Sequence, residues 1–176
     1  MTRAELEHAV RTACDVARIS ELIIIGSQSI LGAFPSASAR LRQSMEIDLV
    51  LTDATTADIV EGVLGEDSPF HRLHGFYAQG LTADDPTLPT GWRERLVLVR
   101  NANTRDCSGW CLEPHDLAAS KLAAFRDKDR EFVRGMLLER LIHGSELGAR
   151  LETLPVDAPL RARLRTWLAG TLRELA

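Results

Sequence analysis

The amino-acid sequence predicts a single small domain of the α/β class, in which a strand-containing core is followed by a helical C-terminal segment. Short apolar runs, rich in β-branched residues and ended by turn residues, occur before residue 113 and are typical of buried strands. Longer stretches with apolar residues at spacings of three and four surround them and are typical of amphipathic helices. The chain has 176 residues, which suffices for one domain with a sizeable core.

The first half of the chain alternates between helix and strand. Apolar spacing predicts a helix over residues 3–17, and Leu22–Ile25, ended by Gly26, predicts a buried strand. A second helix is predicted to start at Ser27, its N-cap, and to be closed by Pro35. The pattern then predicts a polar loop, a strand and a helix, at residues 35–44, 46–51 and 55–64.

The second half begins with strands and ends with helices. Strands are predicted at residues 74–81, 96–99 and 109–112, and a loop that contains Asp84 and Asp85 at residues 82–93. A long helix is predicted to begin at Pro114, with Asp116 as its N-cap, and to continue through Met136. Two further helices follow, at residues 137–152 and 157–175. We therefore expect a core over residues 1–113, with residues 114–176 packed on it as a helical segment.

Composition and charge exclude several classes of protein. No apolar run approaches the roughly 20 residues of a membrane-spanning helix, and the N-terminus lacks the order of a signal peptide. We therefore expect a cytoplasmic protein without a membrane partner. The formal net charge is −4, so no overall basic field attracts nucleic acid. Basic residues cluster late in the chain, either as solvated helix faces or as a local footprint for a polyanion.

The three cysteines, Cys14, Cys107 and Cys111, do not predict a disulfide framework, because their number is odd and their spacing uneven. Cys107 and Cys111 lack the second pair of ligands that a zinc site needs. The pattern therefore favours small apolar side chains at these positions.

Two features of the first half indicate phosphate and metal chemistry. Gly26 allows close backbone approach to a ligand, and Ser27 adds a hydroxyl donor at a helix start that favours anions. Glu46 and Asp48 share one strand face by the period of two, and their hard oxygens suit Mg²⁺, which also binds substrate phosphates. The structural alternatives are an ordinary turn and a solvated strand face.

A third feature is the predicted helix that carries Lys121, Lys128 and Asp129. Asp129 falls on the apolar stripe between Phe125 and Phe132, where a carboxylate must be paired or bound to metal. On one helix Lys121 and Asp129 would lie about 80° apart, so that both could face one site. The structural alternative is a buried salt bridge between Asp129 and an arginine.

With these residues the chain resembles a known family. The first motif of minimal nucleotidyltransferase-like proteins, Gly-Ser and then Asp/Glu-x-Asp, matches L-I-I-I-G-S-Q-S-I-L-G and S-M-E-I-D-L-V. The second motif of the bacterial AbiEii/MenT toxin group, a Lys followed by Arg-x-Lys-Asp, resembles G-W-C-L-E-P-H-D-L-A-A-S-K-L-A-A-F-R-D-K-D-R-E-F-V. The resemblance covers about residues 21–135.

The resemblance implies a mixed-sheet nucleotidyltransferase core and an activity that depends on Mg²⁺ or Mn²⁺. The enzyme would transfer a nucleoside monophosphate from a nucleoside triphosphate, such as ATP, to an RNA acceptor, tRNA in some members, or to a protein. It would act as the toxin of a bacterial toxin–antitoxin system, with a cognate antitoxin protein as partner.

The resemblance also implies roles for individual residues. Glu46 and Asp48 would hold the metal, and Lys121 and Asp129 would complete the catalytic set. Nucleotide binding would fall to Gly26, Ser27, Ser44, Lys121, Arg126 and Lys128. Two departures stand out: the first metal carboxylate is Glu instead of Asp, and the later strands offer no third acid. A small-molecule nucleotidyltransferase and an inactive nucleotide- or protein-binding relative are the alternatives.

Overall fold

The computed structural model describes residues 1–82 and 86–175, and the chain divides into two compact units. The first unit comprises residues 1–85 and 96–112, and the second comprises residues 86–95 and 113–176. The chain therefore returns to the first unit once before it enters the C-terminal helices. Asp84 and Asp85 of the predicted loop lie outside the described residues.

A mixed sheet of five strands forms the first unit, in the order β3-β2-β1-β5-β4. The strands are β1 Glu21–Ile25, β2 Glu46–Val50, β3 Tyr77–Leu81, β4 Val97–Val99 and β5 Ser108–Cys111. β1 runs antiparallel to β2 and parallel to β5. β2 and β3 are parallel, and β4 and β5 are antiparallel. The predicted α/β class and mixed sheet are confirmed.

The helices of this unit are α1 Arg3–Ala17, α2 Ile30–Ala33, α3 Ala54–Leu64 and α4 Pro69–His74. α1 begins at a capping box, in which the side chains of Thr2 and Glu5 each accept from the other's backbone N–H. α3 begins at Asp53, whose carboxylate accepts from the backbone N–H of Thr56. The predicted helices at residues 3–17 and 55–64 are confirmed.

Helix α4 was not predicted, and its last residue, His74, lies in the range predicted as a strand. Local signals for it exist: the Ser68 hydroxyl accepts from the backbone N–H of His71, Pro69 occupies the first turn, and Gly75 ends the helix in the left-handed region. The strand predicted at residues 74–81 therefore begins at Tyr77.

The core of the first unit joins its helices to the sheet. α1 packs against α3, and α3 packs on β3. The helices and strands of this unit contribute apolar side chains without exposed surface, among them Leu6, Ile24, Ile47, Leu49 and Leu64. Their removal from water is the main source of stability for the sheet that carries the candidate site.

A disulfide joins Cys14 of α1 to Cys107, which lies just before β5. The expectation that the cysteines form no disulfide is therefore wrong, because the fold brings together two residues 93 positions apart. Cys111 is free, and burial raises the pKa of its thiol to about 12. Since Cys107 is bonded to Cys14, it forms no metal-binding pair with Cys111.

The second unit is helical, with α5 Pro114–Ala124, α6 Asp127–Leu138, α7 Gly144–Glu152 and α8 Ala158–Leu175. The single long helix predicted from Pro114 through Met136 is wrong, because Phe125 adopts φ 51° and ends α5. The helix predicted at residues 137–152 begins later, at Gly144. Nowhere in the described residues does a helix combine the length and apolar surface needed to cross a bilayer.

Asp116 is fully buried in the second unit and pairs with two arginines. Arg95 donates to both carboxylate oxygens, at 2.8 and 3.0 Å. Arg150 Nε lies 3.0 Å from Oδ1, as an ion pair without hydrogen-bond geometry. The predicted capping role of Asp116 is wrong: the Glu113 carboxylate accepts from the backbone N–H groups of His115 and Asp116 and caps α5.

Candidate functional site

A glycine turn at the end of β1 forms the first part of the candidate site. Gly26 has φ 66° and ψ −171°, a conformation that only glycine adopts without strain. A Cβ atom at this position would lie 1.7 Å from Asp48 Oδ2. The Asp48 carboxylate therefore sits directly against the Gly26 backbone, in space that every other residue would fill.

The turn continues as one 3₁₀ turn over Ser27–Ser29 and then as the four-residue helix α2. Ser29 donates to the Gly26 carbonyl through its backbone N–H and its hydroxyl, at 3.2 and 2.8 Å. The prediction that Ser27 is a helix N-cap is wrong, since Gly26 holds that position and no side chain caps the turn. The expected full helix start is instead a short turn, held by the two hydrogen bonds of Ser29.

Glu46 and Asp48 lie on β2, as the alternating pattern predicts. Both are half-buried, whereas Ile47 and Leu49 on the opposite face have no exposed surface. Asp48 pairs with Ile25 of β1 on one side. Two acids thus share the more accessible face of a central strand, and one of them touches the glycine turn.

Tyr77 and Gln79 of β3 stand next to this pair. Glu46 pairs with Tyr77 and Asp48 pairs with Gln79 in the parallel register. Burial raises the pKa of the Tyr77 hydroxyl, and the charges of Glu46, Glu66 and Asp48 raise it further. Tyr77 therefore lies within the negative field of the two acids.

Sequence reasoning missed Tyr77 because strand pairing cannot be read from a local pattern. The available signal was the spacing of two between Tyr77 and Gln79 in a segment predicted as a strand. The structure also shows what stands on the neighbouring strand in place of a third acid: a phenol and an amide.

Ser44 supports the start of β2. Its hydroxyl accepts from the backbone N–H of Glu46 at 3.1 Å, and its carbonyl accepts from Gln28 Nε2 at 3.1 Å. The structure thus brings together five of the residues that the sequence singled out, all in the first unit: Gly26, Ser27, Ser44, Glu46 and Asp48.

In the second unit, Asp129 lies between two basic side chains. It is 1% exposed, Arg126 Nε donates to its Oδ2 at 2.6 Å, and Lys121 Nζ lies 3.7 Å from its Oδ1. The predicted shared helix is wrong, since Lys121 is in α5 and Asp129 in α6. The chain reversal at Phe125 nevertheless brings them together. Both the proximity to Lys121 and the alternative ion pair with an arginine are present.

The side chains of Lys128 and Arg126, the other two predicted nucleotide-binding cations, are more accessible than that of Lys121. Lys128 is exposed in the first turn of α6, and the Arg126 side chain is 58% exposed although it pairs with Asp129. The second unit thus brings together Lys121, Arg126 and Asp129.

Within residues 1–82 and 86–175, no three acidic, histidine or cysteine side chains gather into a metal-binding group. A metal at Glu46 and Asp48 would therefore need further ligands from substrate and water.

Comparison with known proteins gives one match. A family model described as a nucleotidyltransferase of unknown function (DUF6036) matches residues 4–159. No curated protein and no solved structure matches the chain. The match confirms the resemblance to nucleotidyltransferases at the level of the superfamily. The narrower resemblance to the AbiEii/MenT group stays a prediction.

Proposed function

Because the chain belongs to this family of nucleotidyltransferases, we propose that it transfers a nucleoside monophosphate from a nucleoside triphosphate to an acceptor. One observation carries the proposal: the Asp48 carboxylate lies against the backbone of Gly26. With Glu46 on the same strand face, this contact sets two carboxylates beside a turn whose backbone a phosphate can approach closely.

Mg²⁺ or Mn²⁺ is the cofactor that fits these residues. Mg²⁺ is usually held by one or two carboxylates together with substrate phosphates and water, and Glu46 and Asp48 supply two. When bound, the metal would neutralise charge on the triphosphate and help to orient it. The chain's own contribution is to fix Asp48 against Gly26 and Glu46 beside Ser44, so that the oxygens need little rearrangement.

The transfer itself is a displacement at phosphorus. An acceptor hydroxyl oxygen forms a bond to the α-phosphorus, and the bond from that phosphorus to the bridging oxygen of the β-phosphate breaks. Pyrophosphate leaves with the electron pair, and the hydroxyl proton passes to water. In the first unit we assign triphosphate binding to Gly26, Ser27 and Ser44. For the second unit, the nucleotide-binding roles of Lys121, Arg126 and Lys128, with Asp129 orienting Lys121, are part of the same proposal.

The acceptor that we propose is RNA, with tRNA as the first candidate. The basic residues of the second unit support this choice, since Arg130 and Arg163 both lie over the Phe125 ring, at 4.7 and 4.2 Å from its centroid. Guanidinium groups beside an aromatic ring can contact phosphates and stack with bases. On this reading the protein is the toxin of a bacterial toxin–antitoxin pair, and its expression without the antitoxin arrests growth.

One observation favours a second candidate, a relative that binds nucleotides without transferring them. The residues of β3 that pair with Glu46 and Asp48 are Tyr77 and Gln79, so that strand adds no acid to the metal site. Such a protein would bind a nucleoside triphosphate with Mg²⁺ but release it unchanged.

The test is incubation of the purified protein with each α-labelled nucleoside triphosphate, Mg²⁺ and total RNA. We expect label on RNA with the wild type and none with Asp48→Ala, whose melting temperature stays within a few degrees because Asp48 is only half-buried. Asp58→Ala, an exposed acid on α3, is the matched control and should transfer normally. Label on protein instead of RNA would show that the acceptor is a protein. Nucleotide binding without transfer of any label would favour the second candidate.

A further inference from the structure

The backbone pairing between β1 and β2 stops before it reaches Glu46. The paired residues are Ile23 with Val50, Ile24 with Leu49 and Ile25 with Asp48. Beyond Ile25 the chain turns at Gly26. The Glu46 end of β2 therefore extends past β1, where it pairs with Tyr77 of β3.

Gln28 spans this gap with its side chain. It lies in the 3₁₀ turn after Gly26 and has no exposed surface. Its Nε2 donates to the Ser44 carbonyl at 3.1 Å, and the Ser44 hydroxyl in turn accepts from the Glu46 backbone N–H at 3.1 Å. A side-chain hydrogen bond thus continues the connection where the strand ladder ends.

The Gln28 amide can point only one way. The opposite orientation would set its oxygen against the Ser44 carbonyl, and two acceptors cannot bond. As a result, Gln28 Oε1 is buried without a hydrogen-bond partner among the described residues. A buried acceptor without a partner is destabilising, so a residue selected for stability alone would not be expected here.

We propose that Gln28 is a positioning residue: its buried amide holds the Glu46 end of β2 against the Gly26 turn and so fixes the position of Glu46 relative to that turn. This inference rests on the proposed function, since it assigns Gln28 a role in the same metal site. Groups that hydrogen-bond metal ligands directly typically contribute about 10–100-fold to metal affinity. Gln28 acts one residue further away, through Ser44, so an effect at the lower end of that range is expected.

The experiment is a titration of the purified protein with Mn²⁺ alone, with free Mn²⁺ followed by electron paramagnetic resonance. Gln28→Met keeps the length of the side chain but removes both the donor and the unpartnered oxygen. We expect Mn²⁺ affinity to fall by about tenfold or more, while the melting temperature changes little because the two losses offset each other. Gln43→Met is the matched control, since Gln43 is exposed in the loop before β2, and it should bind Mn²⁺ as the wild type does.

The outcomes separate the inference from the proposed function. If the wild type binds no Mn²⁺, either alone or together with a non-hydrolysable ATP analogue, the metal site of the proposed function fails and Gln28 loses its assigned role. If the wild type binds Mn²⁺ and Gln28→Met binds it equally well, only the inference is overturned, whatever the melting temperature does. If Gln28→Met does not fold, Ser44→Ala removes the next link, and wild-type Mn²⁺ affinity in that variant overturns the proposal.

Discussion

The acids of the two units have contrasting surroundings. In the second unit, Asp116 and Asp129 are 0% and 1% exposed, and each lies against two basic side chains. In the first unit, Glu46 and Asp48 are half-buried on a strand face, and their charge contributes to the raised pKa of Tyr77. Acids of the first kind are compensated by the fold itself. Acids of the second kind keep part of their surface accessible from solution.

The strongest test of this contrast is Asp116→Asn. Loss of the charge leaves Arg95 and Arg150, whose side chains are 27% and 20% exposed, without their shared carboxylate. Breaking a buried ion pair costs about 3–5 kcal/mol, so we expect the free energy of unfolding to fall by about 4 kcal/mol in urea titrations. Asp58→Asn is the exposed control. A loss below about 1 kcal/mol would show that the buried ion pairs of Asp116 stabilise the fold no more than a surface ion pair does.

The second test is Gly26→Ala, which affects both stability and activity. The added Cβ meets Asp48 Oδ2 at 1.7 Å in a backbone conformation reserved for glycine, and we expect a loss of about 3 kcal/mol together with the loss of nucleotidyl transfer. Gly75→Ala is the matched control, because Gly75 also has a positive φ but a Cβ there meets nothing within 4 Å. It should lose only about 1 kcal/mol. Equal losses would show that the Asp48 contact contributes nothing.

Asp129→Asn should have a smaller effect. Arg126 is 58% exposed and can turn toward water, and Lys121 Nζ lies 3.7 Å from the carboxylate, which is longer than a hydrogen bond. We expect the free energy of unfolding to fall by about 2 kcal/mol, the size of a charge-assisted hydrogen bond. An unchanged free energy of unfolding, combined with a sharp loss of nucleotidyl transfer, would instead show that Asp129 serves activity and not stability.

The smallest expected effect is on the titration of Tyr77, the single tyrosine of the chain. Since burial first and then the charges of Glu46, Glu66 and Asp48 raise its pKa above 10.0, the folded state favours the neutral phenol. Its contribution to stability is therefore present below pH 10.0 and lost as the pH rises above that value. Absorbance at alkaline pH should show a lower pKa for Tyr77 in Glu46→Gln than in the wild type. Glu61→Gln is the control. An identical pKa shift in both variants would show that the nearby charge of Glu46 does not specifically raise the pKa of Tyr77.

Much of the first unit follows from local pattern, and the reason is physical. Leu22–Ile25 and Glu46–Val50 are short, bounded by turn residues and buried on at least one face, so their side-chain order records the strand. The two carboxylates were found for the same reason, since alternation with buried Ile47 and Leu49 sets them on one face.

The remaining features depend on contacts between distant residues. No local rule marks Phe125 as the end of α5, because the left-handed position at a helix end usually belongs to glycine. Asp116 was predicted as a cap because its partners Arg95 and Arg150 come from other segments. The disulfide between Cys14 and Cys107 and the position of Tyr77 beside Glu46 likewise follow from strand order and helix packing.

The order of the two units along the chain has a consequence for synthesis on the ribosome. β5 ends at Cys111, before the first residue of α5, so every strand of the first unit is made before any of α5–α8. Arg95 belongs to the second unit but is made earlier, ahead of β4. A shortened gene that stops after residue 112 would therefore keep all the strands of the sheet, whereas one that starts at residue 113 would produce Asp116 without Arg95. A break at residue 113 therefore leaves the sheet in one piece but separates Arg95 from Asp116 in either fragment.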